Sequence, residues 1–482
     1  MTTTVIRNAA YIIAWDAEAD SHTLLQGQDI AFDETGILQV GGRYDGPADE
    51  EIDGSDRMVS PGLVDIHSHP SSEAMNKGML DELGSPGLRM SSLYEFMPLF
   101  RPDGQGTPFA VKTAYSELAL SGVTTLVDLS VAYPEWLSLA EASGLRVVIA
   151  PMYRSARWYT DTGHSVDYEW AEDDGRGAMQ VAMDTIDAAT AHPCDRLTAM
   201  VAPSQIDTCS EALIKDSYAE AEKRGIKMQI HAAQSMVEFN EITTRHGMTP
   251  IQWLDSLGVL TDRTIIGHGI FLNDLHPWPA WPDGADFEML KASGAAVAHC
   301  PTVFQRRGVT MHTFGKYIRN GVPMGIGTDT YPHNMLEEIR HALINSRITS
   351  KNVYDLRTTD AFDAATVGGA KILGRDDIGK LAVGCKADLF MADIRHPAMR
   401  PLRDPLASLI YVAAERAVTD TFVDGAGLVR GGELKTFDLD AALDGLEDAQ
   451  RRAEVEFQQL DFRDRTHDQA APINYAPAKE PS

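Results

Sequence analysis

Long apolar runs are missing from this chain. No stretch approaches the ~18 consecutive apolar residues that a membrane span needs, and the opening "MTTTVIRNAAYIIAWDAEAD" has no charged leader followed by a long apolar core. A cytoplasmic location is the expectation. Cysteine is scarce too: Cys194, Cys209, Cys300 and Cys385 show no CxxC pairing, which excludes a disulfide framework or a structural zinc knuckle and fits a reducing compartment. Basic residues are outnumbered, 42 against 70 acidic, for a formal charge of -28. Nucleic acid and anionic membranes both require a basic face, so neither is an expected partner, and a small-molecule substrate is. What the chain does have is size, 482 residues of which 44% are hydrophobic, enough for one large domain and a smaller one.

Residues 1–60 run in short alternating segments such as "TVIRNAAYIIAWD" and "DIAFDETGILQVG", broken by Gly and Asp. This is the pattern of small antiparallel strands, and it returns over 380–437. Between these flanks, over 61–379, eight apolar runs alternate with helical segments: "MVSPGLVDIHSH", "VTTLVDLS", "LRVVIAPMY", "LTAMVAPS", "IKMQIHAA", "RTIIGHGI", "AAVAHCPT" and "VPMGIGTD". Continuous apolar strands separated by helices predict an α/β fold, a parallel sheet closed into a (β/α)8 TIM barrel. The segment 438–462 predicts a charged amphipathic packing helix. The polar, Pro-containing stretch 463–482 predicts an extended or disordered tail.

Reactive residues stand where each apolar run stops: His67, His69, Asp128, Ser204, His231, His268, His299 and Asp329. In such a barrel these ends converge on one mouth. His67 and His69, two apart at a strand end, point the same way and can grip one ion. With His231 and Asp329 they make three imidazoles and a carboxylate, a donor set for a divalent transition metal; zinc comes first, with cobalt, iron or manganese as alternatives. Such an ion lowers the pKa of water from ~15.7 towards ~7, and Asp329 and His268 are placed to orient the water and collect its proton. Alone, His268 would read as a core histidine; in this company it reads as catalytic.

The order "SPGLVDIHSHP", "IHAAQSMVE", "IIGHGIFLND", "AAVAHCPT", "MGIGTDTYPHNMLEEIR" and "IGKLAVGCKADLFMAD" resembles the amidohydrolase superfamily, most of all its mononuclear branch with atrazine chlorohydrolase and the cytosine or guanine deaminase-like enzymes. The resemblance spans residues 5–435. It implies a barrel with a small β-sandwich built from both chain ends, metal ligation by His67, His69, His231 and Asp329, and contact of His268 with water or substrate. It also leads one to expect a homo-oligomer. The fourth strand end, "VAPSQIDTCS", has no lysine, and Lys215 falls in the next helix, which argues for one metal and against a carbamylated-lysine binuclear centre.

Three departures bear on the substrate. The deaminase-like members carry His-x-x-Glu after the fifth strand, the Glu moving protons to the ring; here Gln234 stands in its place, and an amide cannot act as a general acid or base near neutral pH. Gln234 either positions substrate or caps its own helix. Glu238, a turn further on, is expected to be a solvated or supporting helix residue. Ser204 replaces a histidine common in relatives, and "HCPTVFQRRG" after His299 replaces a small polar pair. These changes favour hydrolysis of a C–N bond, or a thiocarbamate C–S bond, in a small apolar amide, urea or carbamate, in line with a resemblance to the phenylurea and molinate hydrolases. The alternative is a deaminase or dechlorinase of a heteroaromatic ring. Gln234, Arg157, His299 and His333 are the candidate substrate contacts, with Arg154, Tyr331 and Asn334 nearby; Arg154 and Arg157 read equally well as stabilisers of an oxyanion or as cations on a solvated loop.

Overall fold

The computed structural model describes residues 2–475, apart from 80 and 283. Each of the eight apolar runs forms a parallel strand: β1 (Leu63–Ser68), β2 (Val123–Ser130), β3 (Arg146–Tyr153), β4 (Leu197–Ala199, resumed at Ala202–Pro203), β5 (Met228–Ala232), β6 (Thr264–His268), β7 (Ala296–His299) and β8 (Met324–Ile326). Continuous ladders join β1 to β4 and β5 to β8. Two seams of isolated parallel bridges close the ring: Val201↔Met228 and Gln205↔His231 between β4 and β5, and Ser68↔Asp329 between β8 and β1. Alternate residues of one strand enter different apolar clusters, as the inside and outside of a closed barrel require. In β3, Val148 and Ala150 join Val127, Leu129, Met200 and Ile265, while Val147 and Ile149 pack towards the helices.

Both chain ends contribute to a pair of sheets. A four-stranded sheet holds Gly36–Val40, Gln28–Asp33, Thr4–Ala9 and Glu50–Asp53, and a seven-stranded one includes Tyr11–Asp16, Arg57–Pro61, Leu389–Asp393 and Val418–Val423. Ile6, Ile30, Phe32, Val59, Leu389 and Phe422 pack together between them, with Phe32 and Phe422 edge to face at 5.3 Å. Arg146, the first residue of β3, ties this part to the barrel: its Nε is 2.6 Å from Asp388 and its Nη2 also binds Asp424.

Helix Leu439–Leu460 lies against helix Thr107–Leu120, burying Leu446, Ala449, Ala453 and Phe457 with Phe96 and Phe100. Of the tail expected to be extended or disordered, 463–475 lies against the surface, irregular apart from the helical turn His467–Ala470. Arg465 pairs with Glu95 and Asp461, both at 2.6 Å, His467 stacks on Phe100 at 4.9 Å, and Ala470 and Ala471 are buried. The tail is therefore anchored through these residues, and 476–482 lie outside the described residues. Among the described residues no helix is long and apolar enough to cross a membrane.

Candidate metal centre and active site

Three strand ends, those of β1, β5 and β8, deliver the four expected ligands. The Nδ1 of His69 lies 2.7 Å from the carbonyl of Leu129 on β2, and that of His231 lies 2.6 Å from the carbonyl of Ser204. A carbonyl only accepts, so each neutral ring carries its proton on Nδ1 and leaves Nε2 as a bare lone pair. Those two Nε2 atoms are 3.3 Å apart. Two acceptors at that distance repel unless a cation lies between them. His67 completes the set: its Nδ1 meets Gln229 Oε1 at 2.5 Å, and its buried Nε2 has no hydrogen-bond partner among the described residues. Asp329 Oδ1 stands 3.3 Å from His69 Nε2 and 3.8 Å from His67 Nε2, while Oδ2 faces His268 Nε2 at 3.6 Å. This donor set fits a divalent cation.

Burial keeps these rings in the neutral, ligating form. It pulls His231 down to about 4, with His69 adding to the effect, and holds His67 and His268 well below the usual imidazole range. Burial likewise raises Asp329, making it a better proton acceptor than an exposed carboxylate. Its backbone is left-handed, with φ of 60°, a conformation that costs about 1–3 kcal/mol outside glycine. The seam holds it there: Asp329 N–H donates to His67 O at 2.7 Å, and His69 N–H to Asp329 O at 3.0 Å.

Sequence reasoning missed the supports. Asp65 accepts the N–H groups of His67 (3.0 Å) and Thr328 (3.1 Å) and the Thr328 hydroxyl (2.6 Å), pinning β1 to the segment after β8. Gln229 donates from Nε2 to Ile66 O at 3.1 Å, which turns its oxygen to His67. A signal existed for both: Asp65 stands two residues before His67 and Gln229 two before His231, the spacing at which strand residues share a face.

The candidate substrate contacts separate. Gln234 is buried beside the site and its Nε2 has no partner among the described residues. The helix cap is Ser235, whose hydroxyl accepts the Glu238 N–H at 3.0 Å. Of the two roles expected for Glu238, solvated or supporting, the structure has the supporting one: it is fully buried, and its carboxylate folds back to accept the N–H groups of Ala233 (2.6 Å) and Gln234 (3.2 Å). Burial and the neighbouring Asp207 carboxylate push it well above the usual range. Arg157 does not join the site: its exposed guanidinium pairs with Glu169 across the hairpin of Ala156–Tyr159 and Asp167–Trp170. His299 is buried against Phe314 at 5.3 Å, and burial lowers it to about 3. His333 is buried with Nδ1 3.4 Å from Glu117, and Asn334 caps helix Met335–Ser350. Arg306 and Arg307 both grip Asp81 at 3.0 Å, and Arg306 also lies over the Tyr331 ring at 4.1 Å.

Aromatic and aliphatic side chains surround the centre. Phe304 stands edge-on to His268 at 4.5 Å, and Trp158 meets Tyr94 at 4.9 Å in one apolar cluster with Leu88, Met90, Phe239 and Phe271. Trp158 is fixed by an indole N–H donated to Asp207 at 2.8 Å.

A closed parallel barrel with three histidines and an aspartate at the C-terminal strand ends defines a metal-dependent hydrolase. The Amidohydrolase family profile matches residues 58–427, and the chain belongs to that family. It acts on carbon–nitrogen bonds other than peptide bonds. It is 28% identical over 397 residues to the 5'-deoxyadenosine deaminase of Methanothermobacter thermautotrophicus, covering 82% of this chain and 87% of that protein. It is 27% identical to the 5-methylthioadenosine/S-adenosylhomocysteine deaminase of Pyrococcus furiosus, covering 88% and 96%. In fold it is similar to an adenosine deaminase from Xanthomonas campestris with bound zinc, with a TM-score of 0.80 at 21% identity over 94% of this chain and 99% of that one. It is also similar to the atrazine chlorohydrolase from Arthrobacter aurescens complexed with zinc, with a TM-score of 0.76 at 19% identity over 93% and 100%.

Proposed function

We propose that this protein hydrolytically removes an amine from a heteroaromatic ring, using one divalent ion, zinc in first place, held by His67, His69, His231 and Asp329. The observation that carries the reading is the convergence of bare imidazole lone pairs and one carboxylate beneath a wall of aromatic rings. The deaminase names of the relatives, over most of both chains, support it. A bound ion of this kind would make water nucleophilic near neutral pH and polarise the electrophile. Asp329 Oδ2 and His268 Nε2 face each other across the site and are placed to take the proton that water gives up. Phe304 and Trp158 offer faces and edges for a flat ring and exclude water from it.

One observation favours a second reading. Gln234 cannot carry a proton to a ring nitrogen, and Glu238 is occupied with backbone N–H groups, so an acyclic amide, urea or carbamate, whose carbonyl needs no ring protonation, is the competing substrate class. A panel of aminopurines, aminotriazines, ureas, carbamates and anilides, assayed with metal-loaded protein, separates the two. Turnover confined to aminoheterocycles supports deamination, and turnover confined to acyclic carbonyl compounds overturns it. The variant Gln234→Glu gives an independent check. Restoring a carboxylate raises kcat on a ring amine by about tenfold or more if ring protonation limits the rate, and leaves it unchanged or lowered on an acyclic carbonyl.

A further inference from the structure

A cavity lies at the end of the barrel opposite the metal centre. It has a volume of about 440 Å3 and is bounded by the first residues of β2 and β3, by β4, by the residues leading into β5 and β6, and by the segment 373–378. Five cations line it, Arg146, Arg196, Lys227, Arg263 and Arg375, in a chain whose net charge is -28. Two are neutralised: Arg146 by Asp388 and Asp424, and Arg375 by Asp377 at 2.7 Å. The other three form no ion pair among the described residues. Each gives one N–H to a backbone carbonyl instead: Arg196 Nη2 to Glu141 O at 3.2 Å, Lys227 Nζ to Asp262 O at 2.7 Å, and Arg263 Nη1 to Ile226 O at 3.0 Å. A carbonyl brings only a partial charge, so positive charge is left in the wall. Burial pulls Lys227 below the usual ammonium range, Asp262 offsets part of this, and Arg263 adds to it.

Three cations around one cavity whose charge no carboxylate pairs with call for an anionic, acceptor-rich occupant. We propose that this cavity binds a phosphate group, as free phosphate or as the ester of a small metabolite. A phosphate dianion matches the uncompensated charge and offers enough acceptors for planar guanidinium groups from several directions. The cavity is larger than phosphate alone needs, and Val148, Met200 and Ile378 give the remaining space an apolar lining. Nothing in this inference depends on which bond is cleaved at the metal centre.

Calorimetric titration of the whole metal-loaded protein tests it, with inorganic phosphate and ribose 5-phosphate as separate probes at constant ionic strength in chloride. The same titrations on metal-stripped protein distinguish this cavity from phosphate held at the metal centre. The expected result is one site per chain with the same Kd in both forms. Arg196→Gln and Lys227→Met are half-exposed positions outside the Arg146 network; each weakens binding by about tenfold or more, with circular dichroism unchanged. Tighter binding of ribose 5-phosphate identifies an ester as the ligand, and equal binding identifies free phosphate. No heat with either probe, binding that disappears with the metal, or binding indifferent to both variants overturns the proposal.

Discussion

Gln229 shows how much of the metal centre depends on residues that never face the ion. Its amide donates to Ile66 and thereby directs its oxygen to His67 Nδ1. Supports of this kind typically set metal affinity by 10–100-fold. Gln229→Leu is expected to weaken metal binding by about that factor, read by chelator competition, with the fold kept. The same burial that keeps the rings neutral sets a pH dependence. The unfolded chain protonates His231 near 6.5, whereas the folded chain resists until about 4. A depressed histidine costs stability as pH falls below the unfolded value, so the metal-free protein loses about 3 kcal/mol from this ring between roughly pH 6.5 and 4. Thermal melts across that range check this, and His231→Gln makes the curve shallower by this ring's share, leaving the part due to His67, His268 and His299. The convergence of His67, His69 and His231 was legible because strand-end position and His-x-His spacing are local signals. Arg157 was not: whether a guanidinium faces a pocket or a hairpin neighbour depends on Glu169, twelve residues away.

At the scale of elements, the C-terminal helix does more than cover the barrel. Phe457 packs against Phe96 with the rings tilted and 5.1 Å apart, and Phe96 ends the short helical segment Ser92–Phe96, which also carries Tyr94 into the apolar wall of the site. Removing a buried phenylalanine costs about 3–5 kcal/mol. Phe457→Ala is therefore expected to lower Tm by several degrees and to raise KM more than it lowers kcat, because the segment it supports lines the mouth rather than the metal. The amphipathic period of Leu439–Leu460 was visible in the sequence, but its partner was not. For the tail after it, the choice between an extended, surface-held end and a disordered one stayed open, because Pro and polar residues signal disorder only when nothing receives them. Here Glu95, Asp461 and Phe100 do.

For the whole molecule, the buried Arg146–Asp388–Asp424 cluster joins the barrel to the sheets built from both chain ends. Removing every partner of a buried charge costs about 3–5 kcal/mol. Asp388→Ala leaves Arg146 with Asp424 alone and is expected to lose less than that in denaturant melts, the double variant Asp388→Ala/Asp424→Ala more, with metal content unchanged because the cluster lies at the start of β3, away from the strand ends that carry the ligands. The eight-strand barrel was readable from eight apolar runs. How the ring closes was not, since a seam of single bridges leaves no mark in composition.

Those seams have a consequence of their own. His67, His69 and Asp329 flank the β8–β1 seam, and His231 sits on the β4–β5 seam. The ligands are thus split between two four-stranded halves that are otherwise joined edge to edge by isolated bridges. An ion bound to all four is a rivet through both joints. The amides of His69 and Asp329, hydrogen-bonded across one joint, then exchange with deuterated solvent only when the halves part. Loading the centre slows their exchange together with that of the barrel as a whole, so the site cannot fray while the fold persists.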